Sequence, residues 1–280
     1  MNNLNKTITL SSLLVLVFIS GIIIASYEFF PYPILKSLKH EFVTPTPVIS
    51  YEINDVSSLI HIKNSSSVID VQQNLNLLLW NEENIPKNVL PDKIEKNFSD
   101  NRYSDLKNLN SIDKLTIEME YGVNSIAYLF EPVESNDELV IYHQGHRGDF
   151  FEGKQTIQYF LEKNYSVVAF SMPLLGMNSQ PIIDHPQFGK IKIKSHNQFE
   201  FLENDDFSPI KFFVEPIIAV INYLENNSNF NSYYMVGISG GGWVTTLVPA
   251  IDDRVSQSFS IAGSYPIFLR SDPKNFGDYE

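Results

Sequence analysis

Gly237-Ile238-Ser239-Gly240-Gly241 is the segment of this chain best suited to covalent chemistry. The apolar run Tyr233–Val236 precedes it, and Trp243-Val244-Thr245-Thr246-Leu247-Val248 reads as a helix after it. The G-x-S-x-G pattern therefore falls on a strand-to-helix turn, where a serine is held in a strained backbone conformation that lifts its hydroxyl above the sheet. Small neighbours are needed because strand and helix approach too closely for side chains. The unpaired N–H groups of the helix start, with the positive end of its dipole, suit an oxyanion developing on an attacked carbonyl. A chain of this length carries the pattern by chance about one time in ten. It is the flanking strand and helix that favour a catalytic turn over a glycine-rich packing loop. A phosphate cradle is disfavoured, because the Gly-Lys-Ser/Thr ending and dinucleotide-binding spacing are both missing.

A second segment lies upstream. The apolar run Leu139-Val140-Ile141-Tyr142 leads into His143-Gln144-Gly145-His146-Arg147-Gly148. A glycine-bearing loop after an early strand can bring a second backbone N–H to the same oxyanion.

These two loops need a sheet to hold them. Leu115, Ile117, Met119 and Tyr121 alternate with polar residues, the period of a half-buried strand. Gly122-Val123-Asn124 is a turn and Ser125–Phe130 returns, so an antiparallel hairpin is predicted. Leu139–Tyr142 and Ser166–Phe170 are short continuous apolar runs, as expected of strands buried on both faces. Ile157, Phe160 and Leu161 have helical spacing. Pro216 suits the first turn of a further helix whose apolar face is Ile217, Val220, Ile221 and Leu224. Tyr233–Val236 and Val255–Ala262 are the next strands. The alternation predicts an α/β fold with a mostly parallel sheet and an N-terminal antiparallel hairpin. Pro249 is expected to end or kink the helix after Ser239 near Val248.

Twenty basic against 33 acidic residues give a net charge of −13, which argues against a nucleic-acid partner held by phosphate neutralisation. The absence of cysteine excludes disulfides, thiolate catalysis and Cys-ligated metal sites. Thr7–Tyr27 holds 21 consecutive uncharged residues. As a helix it would be roughly 30 Å long, and it is read as a single transmembrane anchor. A cleaved signal peptide is the competing reading, for which Ile24-Ala25-Ser26 is a poor site. Either reading places the remainder outside the cytoplasm, with Lys36 and Lys39 weakening the orientation. Residues 1–30 thus form an anchor or signal segment. Residues 31–110 form a proline-bearing linker and an extension with a short helix near Val71–Trp80, and residues 111–280 form the main domain.

On the Gly237–Gly241 elbow, the Gln144-Gly145-His146 loop and Phe170-Ser171-Met172-Pro173, residues 111–280 resemble the amino-terminal part of an α/β-hydrolase, in particular the dienelactone-hydrolase-like and esterase branches. The resemblance implies that Ser239 is the nucleophile and that the N–H groups of Gly240 and His146 form the oxyanion hole, Gln144 replacing His146 if the loop is shifted by one. Gly237 and Gly241 are the elbow glycines. It implies neither metal nor organic cofactor, and a small-molecule acyl substrate. His143 and His146 side chains are read as structural or pocket-lining.

One part of the family pattern is missing. The acid and base of the family follow later strands, yet 41 residues follow Ser239 and none after His196 is a histidine. Asp272 is a candidate acid, as is Asp278, although both read equally as loop carboxylates. Asp252-Asp253-Arg254 reads as a helix-end feature. Three explanations stand open: a fragment of a longer enzyme, a hydrolase scaffold that binds without turnover, or an unorthodox base among His143, His146, His185 and His196. The expected function is ester or other acyl-bond hydrolysis through an acyl-enzyme, with peptidase activity or non-catalytic binding as alternatives. Pro181–Pro209, with Phe188, Phe199, Phe201 and Phe207, is a lid or an ordinary long connection.

Overall fold

A computed structural model describes residues 15–23, Ser57, Ile60 and 62–263. The chain divides between residues 50 and 51, and the elements below all belong to the second part. The expected membrane-spanning helix over Thr7–Tyr27 is corrected: among the described residues no helix is long and apolar enough to cross a membrane. Helix is described there only at residues 15–23, and the rest of that segment lies outside the described residues. The single-pass anchorage inferred from it is withdrawn with it.

The fold is mixed α/β. Seven strands form one sheet in the order β1-β2-β3-β5-β4-β8-β9. These are β1 (Lys93–Glu95), β2 (Leu109–Glu118), β3 (Asn124–Pro132), β4 (Glu138–His143), β5 (Ser166–Phe170), β8 (Ser232–Ile238) and β9 (Val255–Ile261). The first three run antiparallel, and β3 joins β5 antiparallel through Tyr128↔Ala169. From β5 across β4 and β8 to β9 the pairing is parallel. A separate hairpin, β6 (Ile182–His185) with β7 (Gly189–Lys192), lies in the long connection after β5.

The predicted hairpin is present, with Glu118 opposite Asn124. Its strand ends sooner than the alternation suggests. Tyr121 turns to φ 59° and Gly122 to φ 72°, so Tyr121 leaves the ladder and is exposed.

Helices cover both faces. On one, α2 (Lys154–Leu161) buries Ile157 and Leu161 against Val167, Ala169, Phe130 and Tyr142. On the other, α3 (Lys211–Asn227) and α4 (Gly240–Ile251) pack with Ile141, Val168 and Phe170. Alternate residues of β4 and β5 thus enter different cores, which is why both strands read as unbroken apolar runs.

Helix α1 (Ser65–Trp80) starts a turn and a half before the expected short helix, because Asn64 and Ser67 cap it reciprocally: Ser67 N–H donates to Asn64 Oδ1 at 3.0 Å and Asn64 N–H to Ser67 Oγ at 3.1 Å. Pro216 does not open α3 but lies inside it, since Phe212, Phe213 and Val214 are buried and draw the helix back by a turn. Pro249 does not end α4 near Val248; the helix runs on to Ile251 and closes with Asp252 N–H on Val248 O at 2.9 Å.

Candidate active site

Strand β8 sits between β4 and β9, with Gly237 opposite both His143 and Ser260. It ends at Ile238, and α4 begins at Gly240. Ser239 is the whole connection. It takes φ 56°, ψ −127°, a region that non-glycine residues rarely occupy. Three backbone bonds hold it there: Ser239 N–H donates to Ile261 O at 2.9 Å, and Gly242 and Trp243 N–H donate to Ser239 O at 2.8 and 3.1 Å. The side chain is exposed.

The flanking glycines are demanded by proximity. A Cβ on Gly237 would collide with the Gly241 carbonyl, and one on Gly241 with the His143 carbonyl. Gly240 and Gly241 stand in the first turn of α4, where no carbonyl of the helix can reach their N–H groups.

The 143–148 loop lies directly against this turn. A Cβ on Gly145 would be 2.5 Å from Ile238 O and 2.7 Å from Ser239 Cβ. One on Gly240 would meet His146 Cε1 at 2.5 Å and Nδ1 at 2.8 Å, so the imidazole edge of His146 rests on the residue after Ser239. His146 is exposed. Its Nε2 is 3.3 Å from Nδ1 of His196, whose own Nε2 is 2.9 Å from the Pro173 carbonyl. His196 is buried between Phe199 and Phe213, with ring centroids 5.6 and 5.0 Å away.

The neighbouring polar groups face elsewhere. His143 is buried, lies parallel to Phe170 and donates from Nδ1 to Gln144 O at 2.9 Å. Burial lowers its pKa to about 4, so the ring is neutral. Gln144 donates its N–H to Phe170 O at 2.9 Å, and its side chain accepts from the Tyr142 hydroxyl. His185 lies in β6, stacked on Phe188 at 4.8 Å. Asp252 is buried and paired with Arg254 at 2.7 Å. Asp272 and Asp278 lie outside the described residues. Among the described residues no group of three or more His, Asp or Glu side chains is arranged to hold a metal ion.

Sequence reading missed what braces the loop. Arg102, from a stretch to which no chemistry was assigned, donates Nη1 to Asp149 Oδ2 at 2.7 Å and Nη2 to Asp100 Oδ2 at 2.6 Å. Asp149 Oδ1 in turn accepts from Phe151 N–H at 2.7 Å, capping the turn that follows the loop. Asp100, held chiefly by Arg102, has its pKa lowered, and Arg102 has its own raised, Asp100 being the main cause. No sequence motif signals this pairing across 47 positions.

Solved structures to which this chain is similar include esterases and an α/β hydrolase. Acetyl xylan esterase 1 from Thermoanaerobacterium sp. aligns at 18% identity and a TM-score of 0.49, over 67% of this chain and 55% of that one. An acetyl xylan esterase from Paenibacillus sp. aligns at 14% identity and a TM-score of 0.48, over 72% and 62%. An esterase from Pyrococcus furiosus aligns at 16% identity and a TM-score of 0.42, over 62% and 57%. The chain thus spans little more than half the length of these proteins. No family model matches the sequence, and no curated protein matches it.

Proposed function

We propose that this chain is a serine hydrolase that cleaves an ester of a small-molecule acyl substrate through an acyl-enzyme on Ser239. The observation that carries this reading is the backbone of Ser239: a non-glycine residue at φ 56°, exposed, between a parallel strand and a helix start. Strain of this kind persists where surrounding structure enforces it, as at an exposed nucleophile.

The Ser239 hydroxyl attacks the carbonyl carbon. The oxygen that gains charge is met by the N–H of Gly240, at the positive end of α4, and by the N–H of His146. His146 is favoured over Gln144 as the second donor because the Gln144 N–H is already given to Phe170 O. Water then releases the acyl group from Ser239.

A fluorophosphonate probe tests the reading on the full chain. Covalent labelling that disappears in Ser239→Ala is the expected outcome; no labelling of the parent chain favours a binding protein on a hydrolase scaffold. Parallel assays with p-nitrophenyl esters and aminoacyl anilides separate esterase from peptidase activity, and faster turnover of the esters is expected.

A further inference from the structure

We infer that the cavity at the far end of α4 from Ser239 is a binding site for a small aliphatic amine carrying two or more ammonium groups. Helix α1, the segment that follows it and the C-terminal ends of α3 and α4 border a volume of about 730 Å³, within the size range of small-molecule sites. Helix α4 has 12 residues, so about 18 Å of helix separate this cavity from the elbow.

Asn76 supplies the observation that calls for a ligand. It lines the cavity and is 3% exposed, yet its Oδ1 has no hydrogen-bond partner. Turning the amide over would not relieve this. Its Nδ2 donates to the Glu83 carbonyl at 3.0 Å, and a carbonyl only accepts, so exchanging nitrogen and oxygen would set two acceptors against each other. Buried acceptors are nearly always paired. The partner that Asn76 Oδ1 lacks is a donor, and the cavity beside it is where one can enter.

The walls set the charge of that donor. Glu83, Glu225, Asp252 and Asp253 stand against Lys87 and Arg254, an excess of two formal negative charges. Arg254 is already bound to Asp252 at 2.7 Å and to Glu225 at 2.6 Å. Glu83 and Asp253 are exposed, and Asp253 accepts only from the neutral amide of Gln72, at 3.3 Å. An ammonium group meets both needs, since it carries positive charge and its N–H groups only donate. A bare metal ion fits less well, because among the described residues no three His, Asp or Glu side chains are arranged to hold one. Ile69, Ile85 and Ile251 line the same cavity and offer apolar surface to the methylenes between two ammonium groups.

Isothermal titration calorimetry of the full chain with spermidine tests this, in about 0.15 M NaCl so that diffuse charge attraction is screened. The expected result is one saturable site with Kd below about 1 mM, equally present in Ser239→Ala. Asp253→Asn and Glu83→Gln, both at exposed positions, should each weaken it about 2–5-fold, and Asn76→Leu about tenfold or more. Hexane-1,6-diol, which has the methylenes without the charge, and Mg²⁺, which has the charge without the methylenes, should not displace spermidine. Absence of saturable binding overturns the site. So does binding that Asp253→Asn and Glu83→Gln leave unchanged, which marks general attraction to a chain of net charge −13. Displacement by Mg²⁺ or by the diol overturns the ligand class, and undiminished binding in a folded Asn76→Leu overturns the role of its acceptor. The two carboxylate variants decide the outcome if Asn76→Leu does not fold.

Discussion

If Ser239 is strained for function, removing its Cβ should stabilise the protein while abolishing its chemistry. At φ 56°, ψ −127° the conformation costs a non-glycine residue about 1–3 kcal/mol. Glycine adopts positive φ without that penalty but adds about 0.5–1 kcal/mol of unfolded-state entropy. The net gain for Ser239→Gly is then about 1 kcal/mol. The proper reference is Ser239→Ala, which loses the same hydroxyl and keeps the strain. In a unit of this size a gain of that order raises Tm by about 2–4 °C. Urea unfolding followed by tryptophan fluorescence measures it directly. The chain has two tryptophans, Trp80 and Trp243, and Trp243 is in the first turn of α4 against Phe213, 5.4 Å between centroids. Both variants should be inert to fluorophosphonate, with Ser239→Gly the more stable. If Ser239→Gly unfolds at the same or a lower urea concentration than Ser239→Ala, the elbow stores no strain at this residue and the functional reading of its φ fails.

Two further outcomes follow from groups around the loop. His143 is neutral when folded, with a pKa of about 4 against 6.5 for the free ring. Its contribution is complete above pH 6.5 and is lost as pH falls toward 4, because only the unfolded state takes up the proton across that window. The loss amounts to about 2–3 kcal/mol between pH 7 and 4.5, so His143→Gln should flatten the pH dependence of the unfolding free energy on that order; an unchanged slope would show that the ring is not buried in the neutral form. Arg102→Met removes the partner of Asp100 and Asp149 at once. Because Arg102 is 37% exposed, the cost is about 1–2 kcal/mol, the lower part of the range for bonds to charged groups. Amide exchange should quicken at Gly148–Phe151 and stay unchanged at Gly242 and Trp243, and equal effects at both places would refute a local brace.

The strands were legible wherever burial is two-sided. Leu139–Tyr142 and Ser166–Phe170 announce themselves because every residue in them is buried. β1 did not, since Lys93-Ile94-Glu95 is three residues long, sits at the sheet edge and lacks any apolar run. α3 was half legible: its apolar stripe marked the helix, but Pro216 was given the first turn although Phe212, Phe213 and Val214 also lie within it. The apolar stretch near the amino terminus is legible only as composition, and among the described residues no helix is long and apolar enough to cross a membrane.

The site divides in the same physical way. Everything that shapes Ser239 is local: the glycines on either side, the strand before and the helix after lie within a dozen residues, so periodicity and motif reach it. What holds His146 is not local. His196 is 50 positions away, and it arrives only because the segment after β5 turns back to bury Phe199 and to hang His196 on Pro173 O. Arg102 reaches Asp149 from the other side of the sequence. Two loops that meet at Gly145 and Gly240 are therefore stabilised by unrelated parts of the chain. A change at Arg102 can loosen the loop after His143 while Ser239 keeps its own backbone bonds to Ile261, Gly242 and Trp243.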